Sequence, residues 1–163
     1  MRRVKGPYSL KKSFSFAFGG VAYALKHERN LRIHFAVMLY VLYFSIRYYD
    51  FTNVEYALIL LVIGFVITCE MVNTAIEKTV DIETPVYNGL AKIAKDVAAG
   101  AVLVSSVTAV AVSLLLFWDL VILSVILADI VDQLLIWGLL LSVTILWIIW
   151  PRRNAIMRKF GRD

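Results

Sequence analysis

The sequence predicts an all-α, polytopic membrane protein, and three observations carry that prediction. Of 163 residues, 61% are hydrophobic and the mean hydropathy is +0.78, whereas a soluble domain stays near half apolar because its surface must meet water. The apolar residues gather in runs long enough to cross about 30 Å of hydrocarbon, which takes roughly 20 helical residues. None of these runs alternates polar with apolar, and an open sheet edge cannot face lipid. The composition also excludes disorder, and a single Cys cannot make an internal disulfide framework.

The N-terminal segment has the outline of a secretory signal, a basic stretch before an apolar one. Its spacing favours a surface helix. Phe14, Ala17, Phe18, Val21, Ala22 and Leu25 recur on one face, while Lys12, Ser15, Gly19, Tyr23 and Lys26 lie elsewhere. Such a helix lies among the headgroups with its basic edge toward anionic lipid, and the Gly19, Gly20 pair offers a kink or a close approach. Four spans are then expected, at Leu31–Tyr49, Val54–Asn73, Val97–Trp118 and Gln133–Trp150. Residues Asp119–Asp132, apolar within and acidic at both ends, can either extend the third span or lie at the interface.

Charge sets the orientation. Arg2, Arg3, Lys5, Lys11, Lys12, Lys26, Arg29 and Arg32 precede the first span, Lys78, Lys92 and Lys95 lie between the second and third, and five more cations follow the fourth. Those segments and both termini are expected in the cytoplasm. Asp50, Asp119, Asp129 and Asp132 suit the outer side, although Arg47 lies there too. No nucleic-acid partner is expected.

The chemistry is concentrated in Cys69–Asp81, read C-E-M-V-N-T-A-I-E-K-T-V-D. At about 100° per residue, Asn73, Glu77 and Asp81 all fall within about 60° of Glu70, so four polar groups line one stripe. Glu70 and Glu77 are separated by about 10 Å along the axis, so one can sit deeper while the other meets a cytoplasmic ligand. A carboxylate at the membrane edge is costly unless paired, protonated or metal-bound. Glu28, in H-E-R-N-L-R-I-H, and the group Lys92, Lys95 and Asp96 bring further charges to the same interface. Oxygen donors of this kind suit Mg²⁺, which takes one or two carboxylates and completes its shell with water and phosphates. His27 and His34 read as interfacial hydrogen-bonding residues, since no second His stands four residues on to form a zinc-protease pair. No G-x-x-x-x-G-K-[ST] loop is present, so a nucleotide site here is not of the P-loop type.

These blocks resemble the prokaryotic diacylglycerol kinase family, and within it the undecaprenol kinase branch. Glu70–Asp81 is similar to the family's E-x-x-N-[ST]-A-[IV]-E-x-x-x-D signature, and His27–His34 and Ala91–Leu103 match two further blocks in order, so that residues 6–118 are covered. The resemblance implies a homotrimer of three-span protomers in the bacterial cytoplasmic membrane, moving the γ-phosphate of ATP to a lipid alcohol, undecaprenol or diacylglycerol. It implies Mg²⁺ ligation by Glu28 and Glu77, general-base action by Glu70, and nucleotide or substrate contacts from Asn73, Lys95 and Asp96, with Arg32 and Ala99 beside the lipid; the loop before Ala91 departs from the family in lacking its His-containing stretch, and Asn88 is the nucleotide-contact candidate there. Asp96 would orient Lys95 or the adenine ribose. Residues 119–163, an extra span with a basic tail, fall outside the resemblance and read as a packing or anchoring addition to a core at 1–118. A channel or transporter subunit would need the carboxylate stripe to continue across the bilayer, and Ala57–Cys69 carries no ionisable group but the thiol. A membrane scaffold would show no ATP-dependent activity.

Overall fold

A computed structural model describes residues 9–83 and 88–150, which form six helices and, among the described residues, no strand. The expected N-terminal cations Arg2, Arg3 and Lys5, most of the turn between the second and third spans, and the basic tail lie outside the described residues.

Helix α1 (Leu10–His27) is the expected surface helix. Only its C-terminal half packs on the protein, through buried Ala24, while Phe14 and Phe18 remain exposed, as a face meant for lipid would be. The helix runs unbroken through Gly19 and Gly20, and nothing lies within 4 Å of where a Cβ would stand on either, so neither the kink nor the close approach occurs within the protomer. The break comes instead at Glu28, whose extended backbone (φ −102°, ψ 118°) ends α1 and begins α2 (Arg29–Tyr48). This single-residue corner projects the Glu28 carboxylate from between two helices.

After the turn at Tyr49–Thr52, Thr52 and Glu55 form a capping box: the Glu55 carboxylate accepts from the Thr52 N–H and hydroxyl, both at 2.7 Å, and the Thr52 hydroxyl accepts from the Glu55 N–H at 3.3 Å. Helix α3 (Asn53–Glu83) follows, and pairs most extensively with α4 (Gly89–Phe117). The two make a hairpin, with Asn88 capping α4 by accepting from the N–H groups of Leu90 and Ala91. At 31 residues α3 is about 46 Å long, well beyond the hydrocarbon thickness of about 30 Å. Both helices therefore outrun the expected spans, and Lys78, Asp81, Lys92, Lys95 and Asp96 stand on helical extensions rather than in a loop. At the opposite end, Tyr49 donates to the Phe117 carbonyl at 2.8 Å, and the Tyr49, Phe51 and Phe117 rings pack together.

Beyond α4 the chain breaks at Trp118–Asp119, and Asp119 caps α5 (Leu120–Asp132) through the N–H groups of Val121 and Ile122. Helix α6 (Leu134–Ile149) turns by 90° from α5 and packs on α2. Residues 119–132 are thus a separate helix, not an extension of the third span. The α2–α6 contact is antiparallel: Phe44 stacks on Trp137, Tyr40 meets Thr144 at 2.9 Å, and Arg32 reaches the carbonyls of Trp147 and Trp150, while Tyr48 bonds Asp129 of α5.

The described residues do not by themselves establish the count of four spans. Among the described residues α3 and α4 are long and apolar enough to cross a membrane, and α5 with α6 make a third only as one bent pair. Arg32, His34 and Arg47 interrupt the apolar character of α2, and α6 alone has 16 residues, about 24 Å. Leu60, Leu61, Phe65, Leu103, Val104 and Val107 are exposed outward, leaving α3 and α4 an apolar mantle suited to lipid.

Candidate active site

The α1–α2 corner packs against α3 at the level of the C-E-M-V-N-T-A-I-E block. Glu70, about 26 Å along α3 from Asn53, is only 3% exposed. Its Oε1 lies 3.3 Å from Nε2 of His34 on α2. A carboxylate held in a desolvated niche by an imidazole is an acceptor in a fixed position, and a costly one to place there without a use.

One turn on, the Asn73 amide donates to Glu77 Oε1 at 3.1 Å, while the amide oxygen of Asn73 is buried without a hydrogen-bond partner. Glu28 at the corner reaches Lys78 at 3.2 Å. Glu77 and Glu28 both stand close enough to Glu70 for their charges to act on it. The predicted Glu70, Asn73, Glu77 and Glu28 therefore do gather, and the helical stripe accounts for three of them.

The remaining predicted residues are placed differently. Asp81 pairs with Lys95 across the α3–α4 hairpin at 2.5 Å, beyond the span, and the hydrogen bond from the Lys95 ammonium holds the Asp81 carboxyl below its ordinary range. Asp96 faces Lys92 on the same helix at 3.9 Å, so Lys95 takes its orientation from Asp81. The Asn88 side-chain oxygen Oδ1 is engaged as the α4 cap. Ala99 is exposed on α4, and it is neighbouring Ala98 that is buried. Arg32 is 5% exposed with its guanidinium on the α6 carbonyls, at 2.9 Å from Trp147 and 3.2 Å from Trp150.

His34 as the partner of Glu70, and Lys78 as the partner of Glu28, were not legible in the sequence. Both contacts join different helices, and no spacing along one helix signals them.

Between α2, α3 and α4 runs an apolar cleft of about 710 Å³, with His34 at one end and Tyr49, Phe117 and Trp118 at the other. The polar cluster thus meets a hydrocarbon-lined groove through His34.

The family model for prokaryotic diacylglycerol kinase matches residues 15–117, from within α1 to the end of α4. The chain belongs to the prokaryotic diacylglycerol kinase family. It is 41% identical over 106 residues to an undecaprenol kinase of Bacillus subtilis, covering 65% of this chain and 85% of the relative. It is also 41% identical over 106 residues to a diacylglycerol kinase of Synechocystis, covering 64% of this chain and 59% of that relative. No solved structure matches. Membership in this kinase family makes the cluster around Glu70 the candidate site of a membrane lipid kinase, for which ATP is the co-substrate. Helices α5 and α6 lie past the matched residues.

Proposed function

We propose that this protein phosphorylates the hydroxyl of a membrane lipid alcohol in a Mg²⁺-dependent reaction with ATP, and that undecaprenol is preferred over diacylglycerol. The observation that carries the reading is the buried Glu70–His34 pair, whose His34 lines one end of an apolar cleft.

A primary alcohol is a weak nucleophile at neutral pH, and phosphoryl transfer asks for positioning and for cancellation of phosphate charge. In the proposed reaction the lipid oxygen bonds to the γ-phosphorus, the bond to the ADP oxygen breaks, and the hydroxyl proton passes to Glu70. His34 occupies Oε1 and fixes the carboxylate, leaving Oε2 to face the hydroxyl. Lys95, steadied by Asp81, adds positive charge toward the nucleotide, with Asp96 and Asn88 on the same side of the hairpin. Ala99 is the further lipid-side residue of this reading, whereas Arg32, expected beside it, spends its guanidinium on the α6 carbonyls.

The donor set fits a hard cation. Two carboxylates and an orphaned buried amide oxygen, Asn73 Oδ1, are the kind of incomplete oxygen shell that phosphates complete. Among the described residues no three acidic, His or Cys side chains form a metal-binding group. Glu28 and Glu77 would hold Mg²⁺, which would supply positive charge to offset that of the phosphates.

The preference for undecaprenol rests on the H-E-R-N-L-R-I-H block and the A-A-G-A-V-L run, together with the undecaprenol kinase relative, whose length this chain covers more fully. The reading carries a homotrimer in the bacterial cytoplasmic membrane with both termini and the Glu70 cluster facing the cytoplasm, where ATP is. Residues 1–118 form the kinase core, and 119–163 are the added segment. Purified protein given radiolabelled ATP, titrated Mg²⁺, and undecaprenol or diacylglycerol separately tests this. Label is expected mainly on the polyprenol, and a strong preference for diacylglycerol would reverse the substrate assignment.

A further inference from the structure

The cleft beside Glu70 has a floor that the matched kinase residues do not supply. Its far end is lined by Leu123 and Ile126 of α5, next to Tyr49, Phe117 and Trp118. Because α6 runs antiparallel to α2 and α5 turns from α6 by 90°, α5 lies crosswise to the helices that wall the cleft. From His34 to Tyr49 the α2 wall is about 22 Å long. One end is a polar pair, the wall between is largely apolar, and the other end is crossed by a helix capped at Asp119 and tied by Asp129 to Tyr48.

We propose that α5 is a chain-length stop: a single hydrocarbon chain of the lipid alcohol lies in the cleft with its hydroxyl at Glu70 and His34, and Leu123 and Ile126 meet it at the far end. The occupant follows from continuity, since the groove begins at His34, whose ring lies 3.3 Å from the candidate proton acceptor Glu70, and offers almost only carbon beyond it. Chain segments up to α5 gain contact with protein. Further length leaves sideways into the bilayer and gains nothing. This rests on the lipid kinase reading and adds to it a property of residues outside the family match.

The test uses the full-length protein in nanodiscs and a graded series of polyprenols from short to long, with kcat/KM measured for each. In the wild type, kcat/KM rises with length and then levels. Leu123→Trp fills the floor and makes it level at shorter chains, while Leu123→Ala with Ile126→Ala opens the floor and moves the levelling to longer chains. Since one methylene in an apolar pocket changes kcat/KM by about 10-fold or more, the displacement should be plain. Val125→Ala, on the exposed side of α5 and not lining the cleft, leaves the curve unmoved. A second measurement does not depend on the variants: a long polyprenol carrying a photoreactive group at its far end should label the segment around Leu123–Ile126 in the wild-type protein. Superimposed curves for all variants, or labelling confined to lipid-facing α3, to α1 or to a second copy of the chain, overturn the role of α5. Turnover with a flat length profile defeats this proposal alone, whereas absence of turnover on every lipid alcohol defeats the kinase reading beneath it.

Discussion

At Glu70 a buried carboxylate is stabilised by one cross-helix partner, His34, and this arrangement fixes what a substitution should do. Glu70→Gln preserves size and hydrogen-bonding shape but cannot take a proton. Turnover should fall by about 10²- to 10⁴-fold, the usual range of a general base, while ATP binding stays near normal. A loss of only a few-fold would remove Glu70 from the proton-accepting role. Glu28→Ala and Glu77→Ala should weaken nucleotide affinity and raise the Mg²⁺ concentration needed for half-maximal activity, because both would hold one ion. An unchanged Mg²⁺ titration in both variants would sink that assignment. Asp81 offers a pH test outside the span. Its carboxyl is held low by Lys95, so the ion pair's contribution is present above the ordinary carboxylate pKa and is lost as pH falls through the depressed one. Carboxyl NMR of the protein in micelles should place the Asp81 midpoint below 3.8, and Lys95→Met should move it upward.

At the scale of the element, helix identity was legible and helix ends were less so. The 3.6-residue stripe through Phe14, Phe18, Val21 and Leu25 announced α1, yet its termination at Glu28 has no Gly or Pro to mark it. Packing against α2 and α3 sets that corner. Likewise α3 and α4 continue past the apolar runs, since charged residues end a span without ending a helix. Gly19→Ala and Gly20→Ala should each stabilise α1, by up to about 1 kcal/mol, because Gly is a poor helix former and the Cβ meets open space. Slower amide exchange in α1 would show it. Loss of assembly in either variant would instead reveal a partner seated against that face.

For the whole molecule, the decisive contact is Arg32 with the end of α6. The last carbonyls of a helix lack intrahelical donors, and a buried guanidinium supplies them across 115 and more residues of chain. Hydrogen bonds to charged groups are worth about 1.5–3 kcal/mol, so Arg32→Met should lower the melting temperature of the full chain clearly. The same substitution in a chain truncated from Ile130 onward should cost much less, because its partner is gone. The truncation itself should reduce stability or the yield of the proposed trimer more than the specific activity of what assembles. Equal destabilisation by Arg32→Met in both backgrounds would mean that α6 is not what the guanidinium serves. Loss of turnover in a truncated protein that still assembles and binds ATP would move α6 into the active site.

The sequence by itself determined the helical membrane class, the family and the stripe of Glu70, Asn73 and Glu77, because apolar runs and helical periodicity are properties of neighbours along the chain. Only the tertiary structure decided that His34 holds Glu70, that Lys78 meets Glu28, that Arg32 turns to α6 and that α5 crosses the end of the cleft. Each of these depends on which faces of separate helices are buried together. In a chain whose helices are apolar on most sides, hydropathy does not choose among those faces. The choice falls to the few polar groups that must find partners away from water.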